Sequence, residues 1–276
     1  MPVNTLRLKK FAPDARRRLH QLIEAKMKYV LNMDSPELRE KEGSLDQLKT
    51  QIILKGEQTV IEQVAYTWFN RFVALRYMDV RGFQPLGVRI ISPTTNGGTP
   101  EILSNALSGR IPAELEKVKN TVLGILSGSI SSRHPQNEAY SLLLIAACNH
   151  LHQIFPFLFE KLDDYTELLL PEDLISGQSI IQFVREGMTE ADCQEVEIIG
   201  WLYQFYISEW NDELISSKKV YKKNELAPAS QLFTPKWIVQ YMVDNTLGQL
   251  WTEIKPNTNI TATLDYYIKP AYKAQL

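Results

Sequence analysis

Glu57-Gln58-Thr59-Val60-Ile61-Glu62-Gln63-Val64-Ala65-Tyr66-Thr67-Trp68-Phe69-Asn70-Arg71-Phe72-Val73-Ala74-Leu75-Arg76-Tyr77-Met78-Asp79 is the stretch that decides the fold class. Val60, Ile61, Val64, Trp68, Phe72 and Leu75 return every three or four positions. That is the broad apolar stripe of a core-facing helix. Gly82 and Pro85 end it. Asn70, Arg71 and Arg76 lie around the stripe. Aromatic rings mixed with arginines can bind nucleic acid by stacking and charge. The simpler reading is a core helix whose arginines pair with nearby acids or cap other helices.

The same period recurs on both sides. After Pro13, the residues Leu19, Leu22, Ile23, Met27, Val30 and Leu31 predict a helix. Ser35-Pro36 reads as a further helix start. Ser44-Leu45-Asp46-Gln47 matches a capping box ahead of Leu48 and Ile52. Residues 88–91 form the best short strand candidate, or an extended connector, and 92–100 read as a surface loop. Helices are expected over 112–127, 137–155 and 179–186, with Pro156 closing the second. Thr189-Glu190-Ala191-Asp192 caps another, carrying Val196, Ile199, Tyr203 and Tyr206. No internal repeat or heptad run is present. The expected fold is mainly α: a helical region over 1–215, a basic linker over 216–230, and 231–276 as the start of a further domain.

Composition is that of an ordinary globular protein, with 44% hydrophobic and 22% charged residues. No run reaches the ~20 apolar residues that span a bilayer, and the N-terminus has no secretory signal pattern. Cys148 and Cys193 read as buried small hydrophobes, which points to a reducing, cytoplasmic setting. The net charge of −2 is unevenly spread: residues 1–28 hold eight cationic side chains against two acidic ones. Arg16, Arg17 and Arg18 are candidate phosphate contacts from this arm, and Lys218, Lys219, Lys222 and Lys223 from the linker. The plainer reading of both groups is a solvated surface.

Other chemistry is sparsely supported. His150 and His152 stand roughly 200° apart on a helix and cannot share one ion. The sequence has no Cys-x-x-Cys pair, phosphate loop or nucleophile elbow, and no residue is assigned a catalytic or metal-binding role. Phe233-Thr234-Pro235 is the best candidate site. Thr234 suits an N-cap and Pro235 the first helical position, ahead of Ile238, Val239, Met242 and Val243. A helix start there would offer unpaired N–H groups to an anionic ligand such as a carboxylate. Spacing alone favours a purely structural helix start.

Together these segments resemble one family. Ala65 to Met78, the opening Lys9-Lys10-Phe11-Ala12-Pro13-Asp14-Ala15-Arg16, Gly200-Trp201-Leu202-Tyr203-Gln204-Phe205-Tyr206-Ile207-Ser208-Glu209, and Gln231 to Val239 are similar, in order, to blocks of the PglX adenine-specific DNA methyltransferases of BREX phage defence. The resemblance implies a helical N-terminal region leading into an α/β domain that uses S-adenosylmethionine. It implies double-stranded DNA and other BREX defence proteins as partners. It places Phe233, Thr234 and Pro235 near the methionyl end of the cofactor. The family's glycine-rich cofactor loop and its Asn-Pro-Pro-Tyr motif, which holds a flipped adenine, are both absent from this sequence. The expectation is therefore a truncated chain, inactive alone. The alternative is a helical interaction module that docks other defence proteins.

Overall fold

The computed structural model describes residues 5–33, 41–95, 97–156, 158–159, 164–222, 225–230 and 232–269. The fold is mainly α, and no strand occurs among the described residues. The chain divides into two compact units, Met1–Lys218 and Lys219–Leu276.

The first unit contains α1 (Thr5–Asn32), α2 (Glu42–Lys55), α3 (Glu57–Arg81), α4 (Glu101–Leu107), α5 (Glu116–Ser127), α6 (Pro135–Ile154), α7 (Asp164–Leu168), α8 (Ile180–Gly187), α9 (Glu197–Tyr206) and α10 (Ser208–Ser217). Helix α3 follows the period of its sequence and ends at Gly82, whose left-handed φ of 67° a residue with a side chain adopts less readily. The stripe from Val60 to Leu75 is buried, and Ala65, Phe69, Val73, Ala74 and Met78 widen it. A helix buried on so much of its surface forms the centre of a core. Helix α1 packs on α3, α8 and α9, while α6 packs on α4 and α5.

Four local expectations need correction. Helix α1 begins well before Pro13, which lies inside it. A proline there removes one backbone bond, but Leu8, Phe11, Ala12 and Ala15 in the same turns are fully packed, and the ring of Phe11 meets Phe183 at 5.5 Å. Burial of this turn outweighs the lost bond. Ser44 falls inside α2, which starts two residues earlier without a side-chain cap. Of the two forms expected for residues 88–91, the structure has the connector and not the strand, held by a side chain of α3. On α9 the buried face is Ile198, Leu202, Phe205 and Tyr206, whereas Val196 lies before the helix and is 63% exposed. Thr189–Asp192 closes on itself instead, with the Thr189 hydroxyl donating to Asp192 at 2.6 Å. Ser35-Pro36 lies outside the described residues.

Both cysteines are buried and free, and burial pushes the Cys148 thiol up to about 12 and that of Cys193 to about 11. Neither is a reactive thiolate at neutral pH.

An ion cluster joins α1 to α3. Arg16 donates to Glu62 through Nε at 3.2 Å and Nη2 at 2.7 Å, and His20 Nε2 lies 2.6 Å from Glu62 Oε2. Burial alone would raise the Glu62 carboxyl. The hydrogen bonds from His20 and Arg16, with the Arg16 charge, hold it down at about 2. A carboxyl depressed on folding contributes stability above its unfolded pKa and loses it as pH falls through the folded value. The contribution, about 3 kcal/mol, is therefore expected to vanish between pH ~4.5 and ~2. Urea denaturation of wild type and Glu62→Gln across that window checks it. The variant should show the flatter pH dependence, and parallel curves would refute the assignment.

The second unit contains α11 (Leu226–Ser230), α12 (Lys236–Val243), a π-helical turn at Asp244–Gly248, and α13 (Gln249–Ile254). The segment after α13 is pinned by side chains of the turn. Asp244 Oδ2 accepts from the Tyr266 N–H at 3.0 Å, and Asn245 Oδ1 from the Ile268 N–H at 2.8 Å. Gly248 lets Leu264 approach closely: a Cβ there would meet the leucine Cδ1 at 2.7 Å and displace that side chain.

Candidate functional site

The arginine-bearing end of α3 organises the first unit. Asp79 is buried and its carboxylate collects the connector that follows: Oδ1 accepts from the Ile90 N–H at 2.9 Å, and Oδ2 from Ile91 at 2.9 Å and Ser92 at 2.8 Å. Gln84 Nε2 adds a fourth donor at 2.6 Å. Burial pushes this carboxyl up, and the backbone donors of Ile90 and Ile91 oppose the rise. Tyr140 on α6 closes the arrangement by donating to the Ile90 carbonyl at 3.1 Å.

Arg76, one turn earlier, donates from Nε to the Met188 carbonyl at 3.0 Å and from Nη1 to the Ser92 hydroxyl at 2.8 Å. It thereby satisfies a carbonyl at the end of α8, which is the helix-capping role expected of it. Beside it lies a cleft of about 270 Å3 lined by Arg76, Arg89, Arg185, Thr94, Thr95 and Gly97, among others. Sequence reading misses this cleft because its three arginines stand far apart in the chain and match no motif.

Arg16, Arg17 and Arg18 of α1 are engaged within the first unit. Arg16 serves the Glu62 cluster. Arg17 pairs with Asp14 and Glu209. Arg18 donates to the Gln178 carbonyl and lies over the Phe183 ring at 5.2 Å. Lys218 ends the first unit in a left-handed conformation, φ 51°, and is exposed. Lys219 and Lys222 open the second unit and are exposed too, while Lys223 lies outside the described residues.

The Phe233-Thr234-Pro235 segment differs from its expected geometry. Pro235 has ψ 147°, so α12 cannot begin until Lys236, and Pro235 itself takes the N-cap position. Its carbonyl accepts from the Ile238 N–H at 3.0 Å. Thr234 stands one residue further out, exposed, and makes no cap bond. Its hydroxyl is thus not consumed by the helix start. Phe233 and Pro235 are half-buried.

No helix among the described residues is long and apolar enough to cross a membrane. No family model matches the chain. Two curated relatives do. The chain is 41% identical over 224 residues to the adenine-specific methyltransferase BrxX of Escherichia coli O9:H4 (strain HS), an alignment covering 79% of the chain and 17% of the relative. It is 38% identical over 200 residues to the adenine-specific methyltransferase PglX of Lacticaseibacillus casei (strain Zhang), covering 71% of the chain and 16% of the relative. The chain thus spans about a sixth of the length of the relatives it matches, 17% and 16%. Over most of its own length it is homologous to a part of the BrxX/PglX family of adenine-specific methyltransferases.

Proposed function

We propose that the chain supplies the helical part of a BREX-type DNA adenine N6-methyltransferase that takes its methyl group from S-adenosylmethionine. The observation that carries this reading is the 41% identity over 79% of the chain. The chain lacks a glycine-rich cofactor loop and any Asn-Pro-Pro, so methyl transfer is assigned to residues outside it and the chain alone is inactive. Within the whole enzyme, Phe233, Thr234 and Pro235 border the cofactor. The exposed Thr234 hydroxyl, not engaged in capping, supports that placement. The duplex backbone is met by Lys218, Lys219, Lys222 and Lys223, with Arg17 and Arg18 as further contributors. Arg16 belongs mainly to the fold, since both its bonds to Glu62 are half-buried. Other BREX proteins are the expected protein partners, and the setting is cytoplasmic.

The test uses labelled S-adenosylmethionine and duplex DNA. The isolated chain should transfer no methyl group. A chimera in which this chain replaces the aligned part of the Escherichia coli relative should methylate adenine. Turnover by the isolated chain, or a folded chimera without turnover, would overturn the reading.

A second reading, a helical module that docks other defence proteins, draws on the apolar side chains exposed in the second unit: Trp237, Met242, Leu247 and Trp251 are 46–64% exposed. A salt titration separates the two. Phosphate engagement makes affinity fall steeply with salt, and no duplex binding even at low salt favours the docking module.

A further inference from the structure

We propose that the cleft between α3, the 88–95 segment and α8 is a binding site for a phosphate group, with Arg76, Arg89 and Arg185 as its cationic wall. The three guanidinium groups come from three separate elements and line one space of about 270 Å3. That lies just below the ~300–1,000 Å3 of sites that enclose drug-sized ligands, so the cleft fits a small anionic group better than a whole nucleotide.

Among the described residues, none of the hydrogen bonds made by the three guanidinium groups goes to a carboxylate, although Glu186 lies near enough to act on Arg185 by its charge. Arg89 Nη1 donates to the Pro93 carbonyl at 3.1 Å, Arg185 Nη1 to the Gly98 carbonyl at 3.3 Å, and Arg76 to a carbonyl and a hydroxyl. All of these acceptors are neutral. Among the described residues none of the three arginines forms an ion pair within 4.0 Å. Each guanidinium carries five N–H donors in a fork that suits phosphate oxygens, and these bonds use one or two of them. The carboxylates in the lining are Glu186 and Glu190; both are exposed, and Glu186 accepts from Gln182 at 2.6 Å. Burial, together with the like charge of Arg76, holds Arg185 below the usual guanidinium range.

Gathering like charges in a half-buried cleft is unfavourable unless an opposite charge joins them. A phosphate oxyanion supplies that charge, and Thr94 and Thr95 add hydroxyl donors at the wall. The site is preorganised, because Asp79 fixes the connector that bears Arg89 and Arg76 is tied at Nε and Nη1.

The phosphate has two possible sources, a nucleic-acid backbone or a soluble phosphate compound. The first rests on the methyltransferase reading; the second does not. Arg89→Gln with Arg185→Gln removes two wall charges and spares Arg76, which holds the fold. Lys49→Gln with Lys55→Gln on α2 controls for net charge. Binding of a short labelled duplex is followed by anisotropy across a salt series, and binding of pyrophosphate by calorimetry, with the full chain throughout. If the source is DNA, the cleft variant should lose about tenfold in duplex affinity at low salt, and its log–log salt slope should shrink by about 1, the loss of roughly one phosphate contact. If duplex binding is unchanged but pyrophosphate binding is lost, the site takes a soluble phosphate ligand. If both are unchanged relative to the control, the proposal fails. Absence of methyl transfer by the chimera would count against the function and leave this result standing.

Discussion

Asp79→Ala is expected to destabilise the first unit by about 4 kcal/mol, seen as a lower urea midpoint by circular dichroism with the transition slope retained. The substitution strands the N–H groups of Ile90, Ile91 and Ser92, all of them in buried bonds to one carboxylate. Each buried donor left unsatisfied costs about 1–3 kcal/mol, and grouped losses fall short of their sum. Removing an acid whose burial is itself unfavourable returns part of the loss. Asp79→Asn keeps the shape yet should not rescue. Its amide places hydrogens where Oδ2 accepted from Ile91 and Ser92, so a loss of at least about 2 kcal/mol is expected. A near-wild-type midpoint for the asparagine variant would show that packing, not acceptance, is what Asp79 provides.

This network also shows where sequence reading stops. Helix α3 is legible because its period is local, and Gly82 marks its end by a backbone requirement that any reader of the chain can state. The connector at 88–91 is not legible. Val88, Ile90 and Ile91 are β-branched or apolar and buried like strand residues, but the N–H groups of Ile90, Ile91 and Ser92 go to one side chain eleven to thirteen positions back. Nothing local distinguishes that arrangement from a sheet ladder. Pro13 misleads for a related reason: propensity argues against a helix through it, and tertiary packing around Phe11 wins. Thr234-Pro235 misleads by one residue, since the same pair fits a helix whose cap is Thr234 or Pro235, and only ψ at Pro235 decides.

The candidate sites divide in the same way. The lysines at 218–223 are visible because they lie close together in the chain, whereas Arg76, Arg89 and Arg185 become a group only when α3 and α8 are packed. The arginines of α1 look like a phosphate-binding arm in a linear reading. In the folded unit, Arg16 and Arg17 have carboxylate partners that are distant in sequence, Glu62 and Glu209. Charge clustering along a chain is therefore a weaker guide than the presence or absence of counter-charges in the fold.

Trp68→Ala should cost about 4 kcal/mol, in the range for buried aromatic side chains cut back to alanine. Trp68 is fully buried, stacks on Phe72 at 5.5 Å, lies under the Arg71 guanidinium at 5.2 Å, and donates from Nε1 to the Thr166 carbonyl at 3.1 Å. The last bond ties the centre of α3 to α7, so alanine opens a cavity and also removes a donor from a buried carbonyl. Trp68→Phe keeps most of the apolar volume and loses the donor, and about 1–2 kcal/mol is expected for it. Thermal and urea denaturation measure both, and equal costs for the two variants would deny the cavity its share. The phenylalanine variant also bears on function. It disturbs α3 about two turns before Arg76 without altering a charge. If the cleft takes a nucleic-acid phosphate, then at a temperature where it is folded this variant should bind duplex DNA with the wild-type salt slope, while the Arg89→Gln/Arg185→Gln variant, with its core intact, should not. If both slopes shrank alike, the arginine cleft would be acting through the stability of α3 instead of through contact with phosphate.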